Sequence, residues 1–247
     1  MNKLKSLLTI VLFSFFAITV NAQVKKPVVK KAPVKKTTST TNRTATIRKK
    51  VISIPGVRVK LTTDSGVIII RLYDKTPKHR DNFIKLATEH FFDSLLFHRV
   101  INGFMIQGGD PQSKNAQPGM MLGNGDIGYT IPAEFDTSLF HKKGALAAAR
   151  TNNPEKASSG CQFYIVQGKK MTDEELTMIE MQKGIKYSAA KRKLYKTIGG
   201  TPFLDMDYTV FGEVESGLEV IDKIAGVATD GNNRPLGNIH MKIEVIK

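Results

Sequence analysis

The sequence is poor in the residues that carry thiol or metal chemistry. Cys161 is its one cysteine, so no disulfide can form within these 247 residues and a packed core must stabilise the fold. The five histidines show no paired ligand spacing and no C-x-x-C motif occurs, which argues against a metal or redox enzyme. No positioned base is apparent for a catalytic thiol. We expect a protein that works without a cofactor.

Acidic side chains are absent from the first 50 residues, where much of the formal net charge of +15 resides. Residues 23–50 alone hold ten Lys or Arg, whereas residues 51–247 carry 25 basic and 22 acidic side chains, a net charge of +3. A basic folded surface for nucleic acid is therefore not indicated. The Lys/Thr/Pro-rich segment has too few apolar groups to fold, which predicts a disordered linker rather than a segment bound to anionic lipid or envelope polymers.

The first 22 residues have the layout of a secretory signal. "MNKLK" carries two lysines, "SLLTIVLFSFFAITV" is free of charge, and Val20 and Ala22 are the small residues that precede a cleavage site. Cleavage is expected between Ala22 and Gln23. An uncleaved anchor is the alternative, although the apolar run is shorter than the roughly 20 residues that span a bilayer. We therefore expect secretion across the inner membrane, a periplasmic location and no stable membrane insertion afterwards.

Residues 51–247 consist of short apolar runs separated by turn residues, which predicts a mainly β domain. "VRVKLTT" and "VIIIRLY" form a predicted hairpin around Asp64-Ser65-Gly66, and "TPKHRDNFIKLATEHF" a predicted helix with Thr76 as N-cap. Two further strands are expected on either side of Asn102-Gly103. Residues 111–128 form a predicted long loop, of a length that is usually functional or disordered. The pattern favours a barrel or sandwich capped by two helices.

The segment 171–198 differs from this pattern because its periodicity is helical. Thr172 and Glu175 form a predicted capping box, Gly184 interrupts the helix, and "SAAKRKLYKTI" resumes it. We interpret the segment as a helical hairpin inserted into the β framework. Its mixed charge favours a solvated helical pair, and the alternatives are that it shapes substrate access or docks a partner.

Three blocks of sequence occur in an order that is informative. "FHRVINGFMIQGGDP" resembles the signature of the cyclophilin-type peptidyl-prolyl isomerases, and "GALAAART…SSGCQFYIV" and "FLDMDYTVFGEV" resemble the second and third segments of that family. The resemblance runs from about Val57 to the C-terminus, apart from residues 171–198. It implies a closed eight-stranded antiparallel barrel capped by two helices, with the site on its outer surface.

The chemistry of this family explains why an arginine stands in an apolar run. An Xaa–Pro bond isomerises over tens to hundreds of seconds without a catalyst, because the C–N bond has partial double-bond character. A catalyst must hold the proline ring and favour the twisted bond, in which the nitrogen lone pair is localised. A fixed cationic donor interacts more strongly with that twisted state, so it lowers the barrier. Arg99 suits this role, and its alternative is a half-buried arginine paired with an acid.

The resemblance assigns the remaining site residues by position. Phe104 and Gln107 join Arg99 as catalytic residues, with Gln107 orienting Arg99 and the substrate backbone, while His98 points to the opposite strand face and is structural or peripheral. The implied substrate-binding residues are Met105, Ala149, Arg150, Gln162, Tyr164, Phe203, Leu204 and Tyr208.

Four of these positions depart from the common family pattern. Arg150 stands where many members have asparagine, Tyr208 where many have histidine, and Tyr164 where a phenylalanine is usual. Phe203 replaces the tryptophan of cyclosporin-sensitive members, which predicts weak cyclosporin binding.

The predicted function is peptidyl-prolyl cis-trans isomerisation in envelope or secreted proteins, which assists their folding. The expected partners are proline-containing polypeptides and not nucleic acid, and the expected state is a monomer. The alternative is a non-catalytic chaperone module of the same fold that binds proline-containing segments. The predicted organisation is a signal peptide over residues 1–22, a basic linker over 23–50 and the isomerase domain over 51–247.

Overall fold

The computed structural model describes residues 56–246. The predicted signal peptide (1–22) and linker (23–50) lie outside the described residues. The strands are β1 Arg58–Thr63, β2 Gly66–Leu72, β3 Leu95–Leu96, β4 Arg99–Ile101, β5 Met105–Gly108, β6 Thr130–Ile131, β7 Ala145–Ala148, β8 Ser158–Ser159, β9 Phe163–Val166, β10 Val210–Ser216 and β11 His240–Ile246. The α-helices are α1 Pro77–Thr88, α2 Asp173–Lys183, α3 Ala189–Thr197 and α4 Leu218–Ala225, and two short 3-10 turns cover Pro111–Ser113 and Pro202–Leu204.

The main sheet of the described chain contains nine antiparallel strands in the order β3-β11-β1-β2-β10-β7-β9-β5-β4, and β6 pairs with β8 in a small second sheet. The mainly β architecture is therefore confirmed, but the predicted count of eight strands is not. The expected hairpins are present, since β1 pairs with β2 around the Asp64-Ser65 turn and β4 pairs with β5 around Asn102-Gly103.

The core lies against one face of the main sheet and is rich in phenylalanine. Phe83 of α1 contacts Phe92 at a ring-centroid distance of 4.9 Å, and it meets Phe163 and Phe211 edge-on at 5.4 Å each. Such edge-to-face pairs are a favoured geometry for aromatic rings. Helix α4 buries Val220, Ile221, Ile224 and Ala225 on one side. The two helices thereby cover the apolar sheet face with their own apolar stripes.

The segment 171–198 forms the two helices that its periodicity predicts. Thr172 Oγ1 accepts from the backbone N–H of Glu175, whose carboxylate accepts from the backbone N–H of Thr172 at 2.8 Å, so the capping box is present. Helix α2 ends at Gly184, which adopts a left-handed conformation with φ of 63°. Leu176, Tyr187 and Tyr195 form a small core of their own between the helices.

No helix in the 56–246 region has the length and apolar character needed to cross a membrane.

Candidate active site

The hairpin of β4 and β5 places Arg99 and Gln107 directly opposite each other. Arg99 Nη1 donates a hydrogen bond to Gln107 Oε1 at 3.2 Å. A guanidinium has five N–H donors, so most of its donor capacity is left for a ligand. The alternative drawn from the sequence, a half-buried arginine paired with an acid, does not describe Arg99. Within residues 56–246 its side chain donates to the amide of Gln107 and not to a carboxylate.

A second glutamine continues the hydrogen-bond chain behind this pair. Gln107 Nε2 donates to Gln162 Oε1 at 3.0 Å, and Gln162 Nε2 donates to the carbonyl oxygens of Gly123 at 3.0 Å and Gly125 at 2.7 Å. Because each amide is held at both ends, the oxygen that faces Arg99 is fixed. The backbone of the glycine-rich loop that contains Gly123 and Gly125 thus sets the orientation of the guanidinium through two amide side chains.

A small pocket of about 100 Å³ opens beside the guanidinium. Its lining combines apolar side chains with two guanidinium groups, an amide and two tyrosines. It has room for one side chain rather than for a drug-sized ligand. The residues that line it are Arg99, Phe104, Met105, Gln107, Ala149, Arg150, Tyr164, Leu204 and Tyr208. Nine of the eleven residues that the resemblance assigns to the site therefore surround one cavity.

The other two predicted site residues lie beside this pocket. Gln162 is buried behind Gln107. Phe203 is half exposed, and its ring packs against Phe104 at a centroid distance of 5.7 Å and an interplanar angle of 32°. Phe203 therefore extends the apolar surface outward from the pocket mouth.

Arg150 supports the pocket wall with its side chain as well as its backbone. Its guanidinium lies over the Tyr208 ring at 4.7 Å from the centroid, and Arg150 Nε donates to the carbonyl oxygen of Asp207 at 2.8 Å. This cation–π contact restricts the Tyr208 ring. The sequence predicted contacts through the backbone at position 150, and it gave no signal for the stacking.

A larger groove of about 500 Å³ adjoins the pocket and shares Gln107, Ala149 and Arg150 with it. Its far wall is formed by residues 123–130, which overlap the long loop predicted over residues 111–128. Asp110 holds this loop by accepting from the backbone N–H of Gly123. Gly125 must lack a side chain, because a Cβ there would lie 2.0 Å from Asp110 Oδ1. Two pockets of different size thus meet at Gln107.

His98 and Cys161, the two side chains that suggest acid–base or thiol chemistry, do not line the pocket beside Arg99. Both are buried. Burial lowers the pKa of His98 to about 4 and raises the pKa of Cys161 to about 11. A neutral imidazole and a protonated thiol, both inside the protein, supply neither a proton shuttle nor a nucleophile to the pocket. No group of three or more His, Cys, Asp or Glu side chains in the described part of the chain is arranged to hold a metal ion.

Comparison with known proteins places this geometry in a family. The model of the family "Cyclophilin type peptidyl-prolyl cis-trans isomerase/CLD" matches residues 58–245. A protein of Staphylococcus haemolyticus that carries the name of a peptidyl-prolyl cis-trans isomerase is 32% identical over 184 residues, which cover 74% of this chain and 87% of the relative. A Streptococcus pyogenes protein named as a bifunctional phosphatase/peptidyl-prolyl cis-trans isomerase is 36% identical over 73% of this chain, and the match spans 36% of that longer protein.

Solved structures agree on the fold. The crystal structure of a cyclophilin type peptidyl-prolyl cis-trans isomerase from Cryptosporidium parvum aligns with a TM-score of 0.58 at 23% identity, covering 77% of this chain and 98% of the other. A second crystal structure of that protein, in the presence of the dipeptide Ala-Pro, aligns with a TM-score of 0.55. With the pocket, the sheet and the family match all in agreement, this chain belongs to the cyclophilin-type peptidyl-prolyl cis-trans isomerase family.

Proposed function

We propose that Arg99 is the group that lowers the barrier to rotation about an Xaa–Pro bond. The observation that carries this proposal is that its guanidinium lines a small pocket together with Phe104, Met105 and Leu204 and is oriented by Gln107. As the bond twists, the imide nitrogen regains its lone pair and becomes a hydrogen-bond acceptor. A preoriented cationic donor stabilises that state more than the planar one, which is the condition for catalysis.

The proline ring is held by the apolar lining. Phe104, Met105, Tyr164 and Leu204 present the ring faces and methyl groups that a pyrrolidine ring prefers. The proline nitrogen then lies at the pocket mouth, within reach of the cation. Residues that precede proline extend into the adjoining groove, where the backbone at Ala149 and Arg150 and the side chain of Gln162 contact the peptide.

The sheet of nine strands curls into a closed barrel in this proposal. Strands β3 and β4 are at opposite ends of the strand order, yet Phe97 and His98 alone separate them along the chain. The backbone N–H of Phe97 donates to Ile239 O and that of His98 donates to Gln107 O, both at 3.0 Å. One bent strand therefore joins both edges, and counting β3 and β4 as that strand gives eight.

The substrates are proline-containing polypeptides of the envelope or secreted proteins whose folding the enzyme assists. The sequence of residues 1–22 supports export, and the Ala-Pro dipeptide in the Cryptosporidium crystal supports a proline-bearing substrate. The mature enzyme begins at Gln23, is a monomer and is periplasmic. N-terminal sequencing of the exported protein tests this location: a chain that starts at Gln23 supports it, and an intact Met1 in the cytoplasm contradicts it.

The experiment for the catalytic proposal is a protease-coupled isomerisation assay with an Ala-Pro tetrapeptide. Wild type should accelerate the cis-to-trans step, and Arg99→Ala should lose about a hundredfold or more in kcat/KM. Arg58→Ala is the matched control, because Arg58 is a strand arginine that pairs with Glu215 on the surface of β1. Equal acceleration by Arg99→Ala and wild type would overturn the role of Arg99, whereas no acceleration by wild type would favour the non-catalytic binding module.

A further inference from the structure

Four buried polar side chains form a continuous hydrogen-bonded chain from the helical insertion to the proline pocket. Tyr195 of α3 donates its hydroxyl to Asp205 Oδ2 at 2.6 Å, and Asp205 Oδ1 lies 2.8 Å from His141 Nδ1. His141 Nε2 lies 2.9 Å from the hydroxyl of Tyr164, which lines the pocket. All four residues are between 0 and 4% exposed.

The carboxylate of Asp205 sets the direction of every bond in this chain. It accepts from Tyr195, from His141 Nδ1 and, at 2.9 Å, from the backbone N–H of His141. A carboxylate only accepts, so Nδ1 of His141 is the donor to Asp205. In a neutral imidazole with its proton on Nδ1, Nε2 accepts from the Tyr164 hydroxyl. Each member is held by the next, from the insertion toward the pocket.

Both ends of the chain contain tyrosines that remain hydrogen-bond donors. Burial raises the pKa of Tyr195 and of Tyr164 well above the ordinary tyrosine value. The Tyr164 ring is also stacked on His141, with an interplanar angle of 13°, and meets the Tyr208 ring edge-on. The position of His141 therefore fixes the Tyr164 ring by a hydrogen bond and by stacking.

The hydrogen-bonded series also reaches the pocket through the backbone, because Asp205 directly follows Leu204, another lining residue. Leaving a buried donor or acceptor without its partner is costly, so the chain favours one arrangement of Tyr164 and Leu204. A pocket that has its binding shape before the ligand arrives needs little further ordering, so the ligand binds more tightly.

We propose that the helical insertion 171–198 positions the proline pocket, with Tyr195 as a positioning residue that acts through Asp205 and His141 on Tyr164. This inference rests on the proposed function of the pocket as the proline site. It gives the insertion a role that a solvated helical pair lacks. The proline ring occupies the pocket in both the planar and the twisted state, so the loss of positioning weakens both equally and raises KM rather than lowering kcat.

The test compares Tyr195→Phe in two backgrounds, wild type and Tyr164→Phe, on the mature chain. The readouts are kcat and KM in the protease-coupled assay and the dissociation constant of an Ala-Pro tetrapeptide from an NMR titration. Tyr195→Phe should raise KM and the dissociation constant by about threefold to tenfold in wild type, with kcat within about twofold. In the Tyr164→Phe background, where the bond between His141 and Tyr164 is missing, Tyr195→Phe should change neither KM nor the dissociation constant.

Thr172→Ala is the control. Thr172 is the N-cap of α2 in the same insertion, and its hydroxyl accepts from the backbone N–H of Glu175 rather than from any of the four residues above. This variant should lower the thermal midpoint and leave KM and the dissociation constant at their wild-type values in both backgrounds. A merely structural role of the insertion predicts instead that Thr172→Ala and Tyr195→Phe behave alike.

The inference is wrong if Tyr195→Phe leaves peptide binding unchanged, or if it weakens binding equally in both backgrounds. The proposed function fails separately, if wild type does not accelerate isomerisation or if Arg99→Ala accelerates it as much as wild type does. In that case the dissociation constants still test whether Tyr195 positions the pocket. Should Tyr195→Phe fail to fold, nitrogen NMR of the wild-type imidazoles decides. A proton on His141 Nδ1 supports the chain, and a proton on Nε2 alone overturns it.

Discussion

Arg99 and Gln107 oppose each other across two antiparallel strands, with Arg99 Nη1 donating to Gln107 Oε1 at 3.2 Å. The pairing explains why a charged and an amide side chain interrupt an apolar run: both leave the same sheet face at the same register position. The strand pairing thus supplies the geometry of the site, and Gln162 and the glycine-rich loop hold it.

Removing the amide at position 107 should disorder the guanidinium without unfolding the protein. Gln107→Leu replaces the amide by an apolar group one atom shorter and deletes the bonds to Arg99 and Gln162. We expect kcat to fall by about tenfold, because a misoriented donor stabilises the twisted bond less. Gln117→Leu, at an exposed position of the long loop, is the control and should retain wild-type kcat. Wild-type kcat in Gln107→Leu would show that Arg99 needs no such partner.

Phe203 should control the affinity for cyclosporin. The side chain is half exposed at the pocket mouth and lacks the indole N–H that the resemblance associates with cyclosporin sensitivity. We expect weak inhibition of wild type and inhibition about threefold to tenfold tighter in Phe203→Trp, the gain of one hydrogen bond. Phe203→Leu, which also lacks a donor, should show no gain. Titration of the isomerase activity measures both, and tight inhibition of wild type would contradict this prediction.

The buried imidazole of His98 should make the fold sensitive to acid. Its folded pKa of about 4 lies below the ordinary value of 6.5, so the unfolded chain binds more protons than the folded chain between these pH values. The free energy of unfolding therefore falls as the pH drops through this window. We expect His98→Leu to abolish up to roughly 3 kcal/mol of that fall, measured by urea unfolding across the window.

The control for this pH effect is Val100→Ala, a buried apolar residue close by in β4. Its loss of packing lowers the free energy of unfolding by a similar amount at every pH, so its curve should run parallel to that of wild type. Should His98→Leu also run parallel to wild type, the imidazole is not the source of the acid sensitivity.

The aromatic core should be the least tolerant part of the domain. Phe92 is fully buried and contacts Phe83 and Phe163 at ring-centroid distances of 4.9 and 5.6 Å. Phe92→Ala leaves a cavity among these rings, and we expect it to lower the free energy of unfolding by about 3–5 kcal/mol. Phe203→Ala removes the same atoms from a half-exposed position and should cost clearly less. Similar losses in both variants, measured by urea unfolding, would contradict this assignment of the core.

The elements of the fold follow from local pattern, and the exceptions have local causes. Alternation and turn residues predicted the β1–β2 hairpin, and the capping box at Thr172 predicted the start of α2. Thr76 is at the N-cap position of α1 but makes no capping bond, since its hydroxyl contacts Tyr73 O instead. The separation of β3 from β4 was not predicted: the backbone N–H of Phe97 donates to Ile239 O, just before β11, and that of His98 donates to Gln107 O of β5, a change of partner that no local pattern reveals.

The site residues were predictable where they lie in the three blocks of the resemblance, and the hydrogen bonds that connect those blocks were not. Arg99, Phe104 and Gln107 lie within nine positions of one another, and the resemblance identified them. Gly123 and Asp205 are far from that motif in sequence, and their contacts to Gln162 and Tyr195 form only in the folded chain. The roles of the predicted site residues in binding and catalysis stay predictions, which the variants described above test.

The isomerisation rate of a peptide while it is bound reports the effect of Arg99 on the barrier without a contribution from affinity. Exchange NMR on an Ala-Pro tetrapeptide gives this rate separately from affinity, for wild type and for Arg99→Ala. We expect that the variant still binds the peptide, because the other lining residues are intact, while the bound-state rate falls by about a hundredfold or more. If the variant binds the peptide and isomerises it at the wild-type rate, Arg99 is not the group that lowers the barrier.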